Sequence, residues 1–253
     1  MNNKTLKTIL LPIVLVLIAV VSYMEILPLV KISMIKNTVY TDIKDKSEEV
    51  MKGVIGIVPE RSTKSGIGSA AIIKKDGNIY LAVTAKHNVE DKTNKYKIFI
   101  KDNNELIDAN VEYTSLTNQM AFISFEYDGD LTVLDIENKT VKKGDRIMVI
   151  SAQEDKSYTT TFGRLKSNIK KMKLKRPDGI MMNDRFMKHD AYINKDNVNG
   201  IVFNENNHMV GINVYGSYTL LGTYEHGYMI PADEVKMEYN KIKVINSDVV
   251  KKD

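Results

Sequence analysis

The sequence has no cysteine, no tryptophan and only 5 prolines among its 253 residues. Without cysteine there are no disulfides, no thiolate zinc sites and no cysteine nucleophile. A strong charge of one sign is also missing, the net charge being +4. The single concentrated basic run, Lys170 to Arg176, reads as a solvated loop, and no nucleic-acid partner is expected. Long apolar runs are missing too, with one exception at the amino end. There Lys4 and Lys7 precede the stretch Ile9 to Met24, broken only by Pro12 and Ser22. Such a stretch is a marginal membrane span, and its basic flank also suits a secretory signal. We expect an uncleaved single-pass anchor in the lipid bilayer through residues 9–24, with a cleaved signal or a buried core helix as alternatives.

What is present fits one globular domain with an appendage. Hydrophobic residues make up 43% of the chain, and 14 glycines punctuate it. The expected organisation is a short basic start (1–8), a transmembrane or signal-anchor segment (9–30), a linker (31–52), a folded domain (53–244) and a polar tail (245–253). In the linker, Thr41 to Lys52 reads as a short helix.

From Gly53 the texture changes to short apolar or alternating runs between turn residues. These runs are Val54–Val58, Ser69–Ile73, Ile79–Val83, Tyr96–Ile100, Ala109–Tyr113, Met120–Phe125, Leu131–Ile136 and Arg146–Ile150. Tyr158–Leu165, Ala191–Ile193, Gly200–Phe203, Met209–Val214 and Tyr228–Ile230 continue them. Asp76-Gly77 is a hairpin signal. Further turns are expected at Lys143-Gly144-Asp145, Glu205-Asn206-Asn207 and Tyr215-Gly216-Ser217. Strands at this spacing indicate an all-β sandwich or barrels. A short terminal helix runs from Pro231 to Tyr239.

Several stretches then line up in a telling order. Gly66-Ile-Gly-Ser-Ala-Ala-Ile-Ile is followed by Leu81-Ala-Val-Thr-Ala-Lys-His-Asn-Val, and that by Gln119-Met-Ala-Phe-Ile. Later come Asp190-Ala-Tyr-Ile-Asn-Lys-Asp-Asn-Val-Asn-Gly-Ile, Gly211-Ile-Asn and Gly227-Tyr-Met-Ile-Pro. Together they resemble the trypsin-like serine peptidases, most closely the bacterial HtrA branch. The resemblance covers about Gly53 to Tyr239 and implies two six-stranded antiparallel barrels. No PDZ module follows within the sequence.

Carried over residue by residue, the resemblance puts His87 at the general-base position, Gln119 where the orienting acid belongs and Val198 at the nucleophile. A valine has neither lone pair nor proton to give, so it cannot attack a carbonyl. An amide at the acid position cannot stabilise an imidazolium, a change worth about 10⁴ in turnover in the template case. Asp102, Asp108 and Asp128 are close by but off the matching strand start. Asp196, Asn197, Asn199 and Gly200 occupy the oxyanion loop, where Asp196 and Asn199 replace glycines that turn backbone N–H groups inward. Tyr192, Tyr215, Gly216, Tyr224 and His226 would surround the specificity pocket. His189-Asp190 and His208 lack ligand spacing, so neither a metal nor another cofactor is expected.

The expectation is therefore a membrane-anchored, catalytically inactive homologue that acts by binding protein or peptide, with its globular part outside the cytoplasm. Two alternatives remain. One is an active endopeptidase using Ser217 or a threonine of Thr159 to Thr161 with His87 as base. The other is an assembly protein using the barrels as an interaction body.

Overall fold

The computed structural model describes residues 20, 23, 47–61, 67–101, 103, 105–176, 179–194 and 199–250, with 243–250 as backbone only. Nearly all of residues 9–30, the expected anchor, lie outside the described residues, as do 195–198. No helix among the described residues is long and apolar enough to cross a membrane.

Residues 47–51 form a short helix that leads into the first barrel. Six strands close it: β1 (Val54–Pro59), β2 (Gly68–Asp76), β3 (Ile79–Ala85), β4 (Tyr96–Phe99), β5 (Ile107–Thr114) and β6 (Met120–Glu126), in the order β1-β2-β3-β6-β5-β4. Alternation sorts the side chains. Ala70, Ile72, Tyr80, Ala82, Ile123 and Phe125 fill the barrel, while Ala71, Val83, Met120 and Phe122 face the second half of the molecule. Strands buried on both faces have no polar side to show, which explains their near-continuous apolar runs. Asp76 pairs with Ile79 across the turn, where Gly77 takes φ +61°, as a two-residue primed hairpin requires.

The second half contains β7 (Arg146–Ala152), β8 (Tyr158–Arg164), β9 (Lys170–Lys175), β10 (Met181–His189), β11 (Gly200–Asn204), β12 (Met209–Tyr218) and β13 (Tyr224–Pro231). Their order is β8-β7-β11-β12-β13-β10-β9. This corrects the six-stranded expectation: there is a seven-stranded sheet here, and β9 is built from the basic run read as a loop. At one end the sheet is drawn round on itself. Leu165 bridges His189, and Lys166 N donates to the Lys188 carbonyl at 2.7 Å. β9 hangs outside that closure.

Other expectations shift as well. Leu131–Ile136 and Ala191–Ile193 form no strand; Ile136 makes only an isolated bridge to Met209. Tyr215–Ser217 is not a turn but continues β12, which bulges against β13 instead. The C-terminal helix starts at Ala232, just after Pro231, and runs on to Val250. It packs Val235 and Ile242 into the cluster shared by both halves.

Candidate functional site

Between the two halves lies the turn that carries His87. β3 ends with Ala85 paired to Met120, and Lys86 N donates to the Gln119 carbonyl at 3.0 Å. The chain then enters the 3-10 turn Lys86–Val89. Buried Asn88 anchors it, donating to Thr84 Oγ1 at 2.8 Å, and Thr84 in turn donates to the Ser69 carbonyl at 2.8 Å. Gly68 lies so close to Asn88 that a Cβ there would sit 2.4 Å from its Cγ. The Thr-Ala-x-His-Asn sequence is thus a self-bonded corner presenting a half-buried imidazole.

That imidazole meets Asn199. His87 Nε2 and Asn199 Oδ1 are 2.6 Å apart. The amide's other end, Nδ2, donates to the Ile67 carbonyl at 3.2 Å. A carbonyl can only accept, so Nδ2 must face it and Oδ1 must face the ring. Oδ1 also only accepts, so Nε2 carries the proton. Asn199 is held in place by Ser151, whose Oγ donates to its carbonyl at 2.5 Å. Gly200 begins β11 against Val149 and Ser151, where a Cβ would come within 2.5 Å of Val149 Cγ1. A general base of this type needs a bare Nε2 aimed at the nucleophile; here Nε2 is a donor.

Gln119 is pinned through its backbone. Its N–H donates to Asp184 Oδ2 at 3.0 Å and its carbonyl accepts from Lys86 N. Asp184 is buried, and burial pushes its pKa up against the pull of the Arg185 and Gln119 N–H groups. Behind it stands Glu238 of the C-terminal helix, fully buried. It accepts from Asn118 Nδ2 at 2.8 Å, Tyr113 Oη at 3.0 Å, Thr117 Oγ1 at 3.3 Å and Lys241 Nζ at 2.6 Å. Burial raises its pKa, but the hydrogen bonds from Lys241 and Tyr113 outweigh that and leave it below the ordinary value. Glu234, one helical turn earlier, accepts from Arg185 at 2.6 Å. The helix therefore clamps the turn 115–119 that bears the acid position. Sequence reading missed these three carboxylates; the four-residue spacing of Glu234 and Glu238 is the only trace they leave.

Of the other nearby acids, Asp108 pairs with Lys97 on the outer surface and Asp128 accepts from Asn78. Asp102 lies outside the described residues, as do Asp196, Asn197 and Val198.

The expected pocket residues split into two groups. Tyr192 and Tyr224 meet edge to face at 5.3 Å, and Tyr218 joins Tyr224 at 5.7 Å. Tyr224 Oη donates to the Ala191 carbonyl at 2.5 Å, and Tyr218 Oη to the Ile193 carbonyl at 2.8 Å. Burial raises the Tyr224 pKa. Gly216 gives Tyr218 room, since a Cβ on it would lie 2.8 Å from the phenol oxygen. Tyr215 points the other way, against Tyr228 at 5.6 Å. His226 pairs across the ladder with Ser217, and its pKa is lowered by burial and by Lys188. Tyr218 was missed because it stands just past what reads as a turn.

Of the alternative nucleophiles, Ser217 Oγ donates to Glu225 at 2.6 Å and Thr159 Oγ1 accepts from Gln153 at 2.9 Å, while Thr161 Oγ1 is buried with no hydrogen-bond partner among the described residues. A further buried group is His189, whose Nε2 lies 3.0 Å from Asn213 Oδ1.

Among solved structures, the fold is similar to the apo form of the MamO protease domain from Magnetospirillum magneticum. The two share 17% identity and a TM-score of 0.62, over 76% of this chain and 98% of that one. No curated protein matches in sequence. A family model described as "Trypsin-like peptidase domain" matches residues 68–212, more than half of the chain. On that match, with a closed six-stranded barrel packed against a second sheet, the chain belongs to the trypsin-like peptidase domain family.

Proposed function

We propose that this chain is a membrane-anchored, catalytically silent member of the family, nearest the HtrA branch, that acts by binding protein or peptide. One observation carries the proposal. His87 Nε2 keeps its proton and donates a hydrogen bond to the Asn199 amide oxygen, which can only accept. In the working geometry the same nitrogen takes a proton from the nucleophile. The sequence supports this from the other side, with Val198 at the nucleophile and Gln119 at the acid. The apolar stretch 9–24 supplies the tether, with the globular part outside the cytoplasm.

Incubation with a fluorophosphonate probe tests the silence. No covalent adduct is expected on the native chain, and an adduct that disappears in His87→Ala would overturn the proposal. Resistance of the full chain to alkaline extraction from membranes tests the tether separately.

A further inference from the structure

The strand added to the second sheet offers a surface that the His87 site does not use. β9 is the last strand in its sheet. One side pairs with β10, from Lys170 opposite Phe186 to Lys175 opposite Met181, and the other side has no strand partner among the described residues. Its backbone therefore presents a row of open N–H and C=O groups. Alternation turns Met172 and Leu174 toward the core, leaving Lys171, Lys173 and Lys175 exposed on the opposite face. Cations at every second residue stand roughly 7 Å apart.

These lysines are uncommitted. The side-chain amines of Lys171, Lys173 and Lys175 have no hydrogen-bond or ion-pair partner among the described residues. The nearby arginines, by contrast, are engaged: Arg185 with Glu234 at 2.6 Å and Arg176 with Glu90 at 2.9 Å. A lysine row normally keeps other strands off an edge. A strand with Asp or Glu at alternate positions reverses that, because each carboxylate falls opposite a lysine at cross-strand distance while the backbones pair. We propose that this edge captures an extended acidic peptide segment by strand addition, at a site separate from His87. Among the described residues, charge periodicity and an open ladder coincide only here. A flat anionic membrane would use the charges without the ladder.

The experiment uses the full chain in neutral detergent micelles and a fluorescein-labelled heptapeptide alternating Glu and Val. Anisotropy should report binding, with the affinity falling roughly tenfold for a peptide of the same composition with its glutamates clustered. Hydrogen exchange at the amides of residues 170–175 should slow. The triple variant Lys171→Glu/Lys173→Glu/Lys175→Glu should lose the Glu peptide and gain the matching Lys-Val peptide, a gain that also shows the variant to be folded. Equal binding of the alternating and clustered peptides overturns the proposal. So does protection around His87 instead, or binding to phosphatidylglycerol vesicles with no peptide-dependent protection of β9.

Discussion

His189 makes a distinct contribution to how this fold responds to acid. Its ring is wholly buried, with Nε2 on Asn213 and no hydrogen-bond partner for Nδ1 among the described residues. Gly227 lies flat against it, so that a Cβ there would fall 2.1 Å from Cε1. Asp190, His226 and the Ala191 backbone surround the ring, the last attracting it only weakly and short of hydrogen-bond geometry. Burial dominates, and the pKa is pushed from 6.5 to about 4 against the pull of Asn213 and Asp190. The unfolded chain therefore binds a proton that the native state refuses. The His189 contribution is full above pH 6.5, falls as pH drops through the window, and is lost completely below about pH 4.

A gap of about 2.5, at 1.36 kcal/mol per unit, makes the loss about 3 kcal/mol. Against a total of roughly 5–15 kcal/mol for an ordinary domain, that is a large share. The assay is urea unfolding of the native chain and of His189→Gln at several pH values across the window. Shifts at other groups, such as Asp184 upward and Glu137 downward, occur in both proteins and largely cancel in the difference. The difference curve should bend by about 3 kcal/mol. Identical slopes in the two proteins, or an NMR titration of His189 near 6.5, would refute the reasoning.

Three further outcomes are expected. Gly227→Ala forces a methyl into the His189 ring and should destabilise by about 1–3 kcal/mol, read as a lower thermal midpoint. Glu238→Gln replaces an accepting oxygen with an NH₂ donor among groups that all donate, so it should cost about 1–3 kcal/mol. It should also speed hydrogen exchange at Gln119, whose turn it helps hold. Val198→Ser alone should give no fluorophosphonate adduct, because the His87 Nε2–H still faces Asn199 Oδ1; adding Asn199→Gly and Gln119→Asp should produce one.

Most of the first barrel was legible because its strands are short apolar runs bounded by turn chemistry, as at Asp76-Gly77. β9 was not, since its alternation sets only two apolar residues, Met172 and Leu174, among lysines, and so short a pattern has the composition of a solvated basic run. Leu131–Ile136 misled in the opposite way. Leu131 and Leu134 are buried as anchors of an extended connection, with Val133 exposed between them. Tyr215-Gly216-Ser217 has turn composition, yet its glycine serves a close approach by Tyr218 within a strand. At the site, the Thr-Ala-x-His corner announces His87 because its bonds are local. The His87–Asn199 contact spans 112 residues and depends on how the two halves pack, which no local pattern encodes.

The central claim concerns one proton, and ¹⁵N NMR of the His87 ring reads it directly. The neutral ring should show a protonated Nε2, coupled to its hydrogen and insensitive to added peptidase inhibitors. A bare Nε2 with the proton on Nδ1, the tautomer of a working base, would contradict the account.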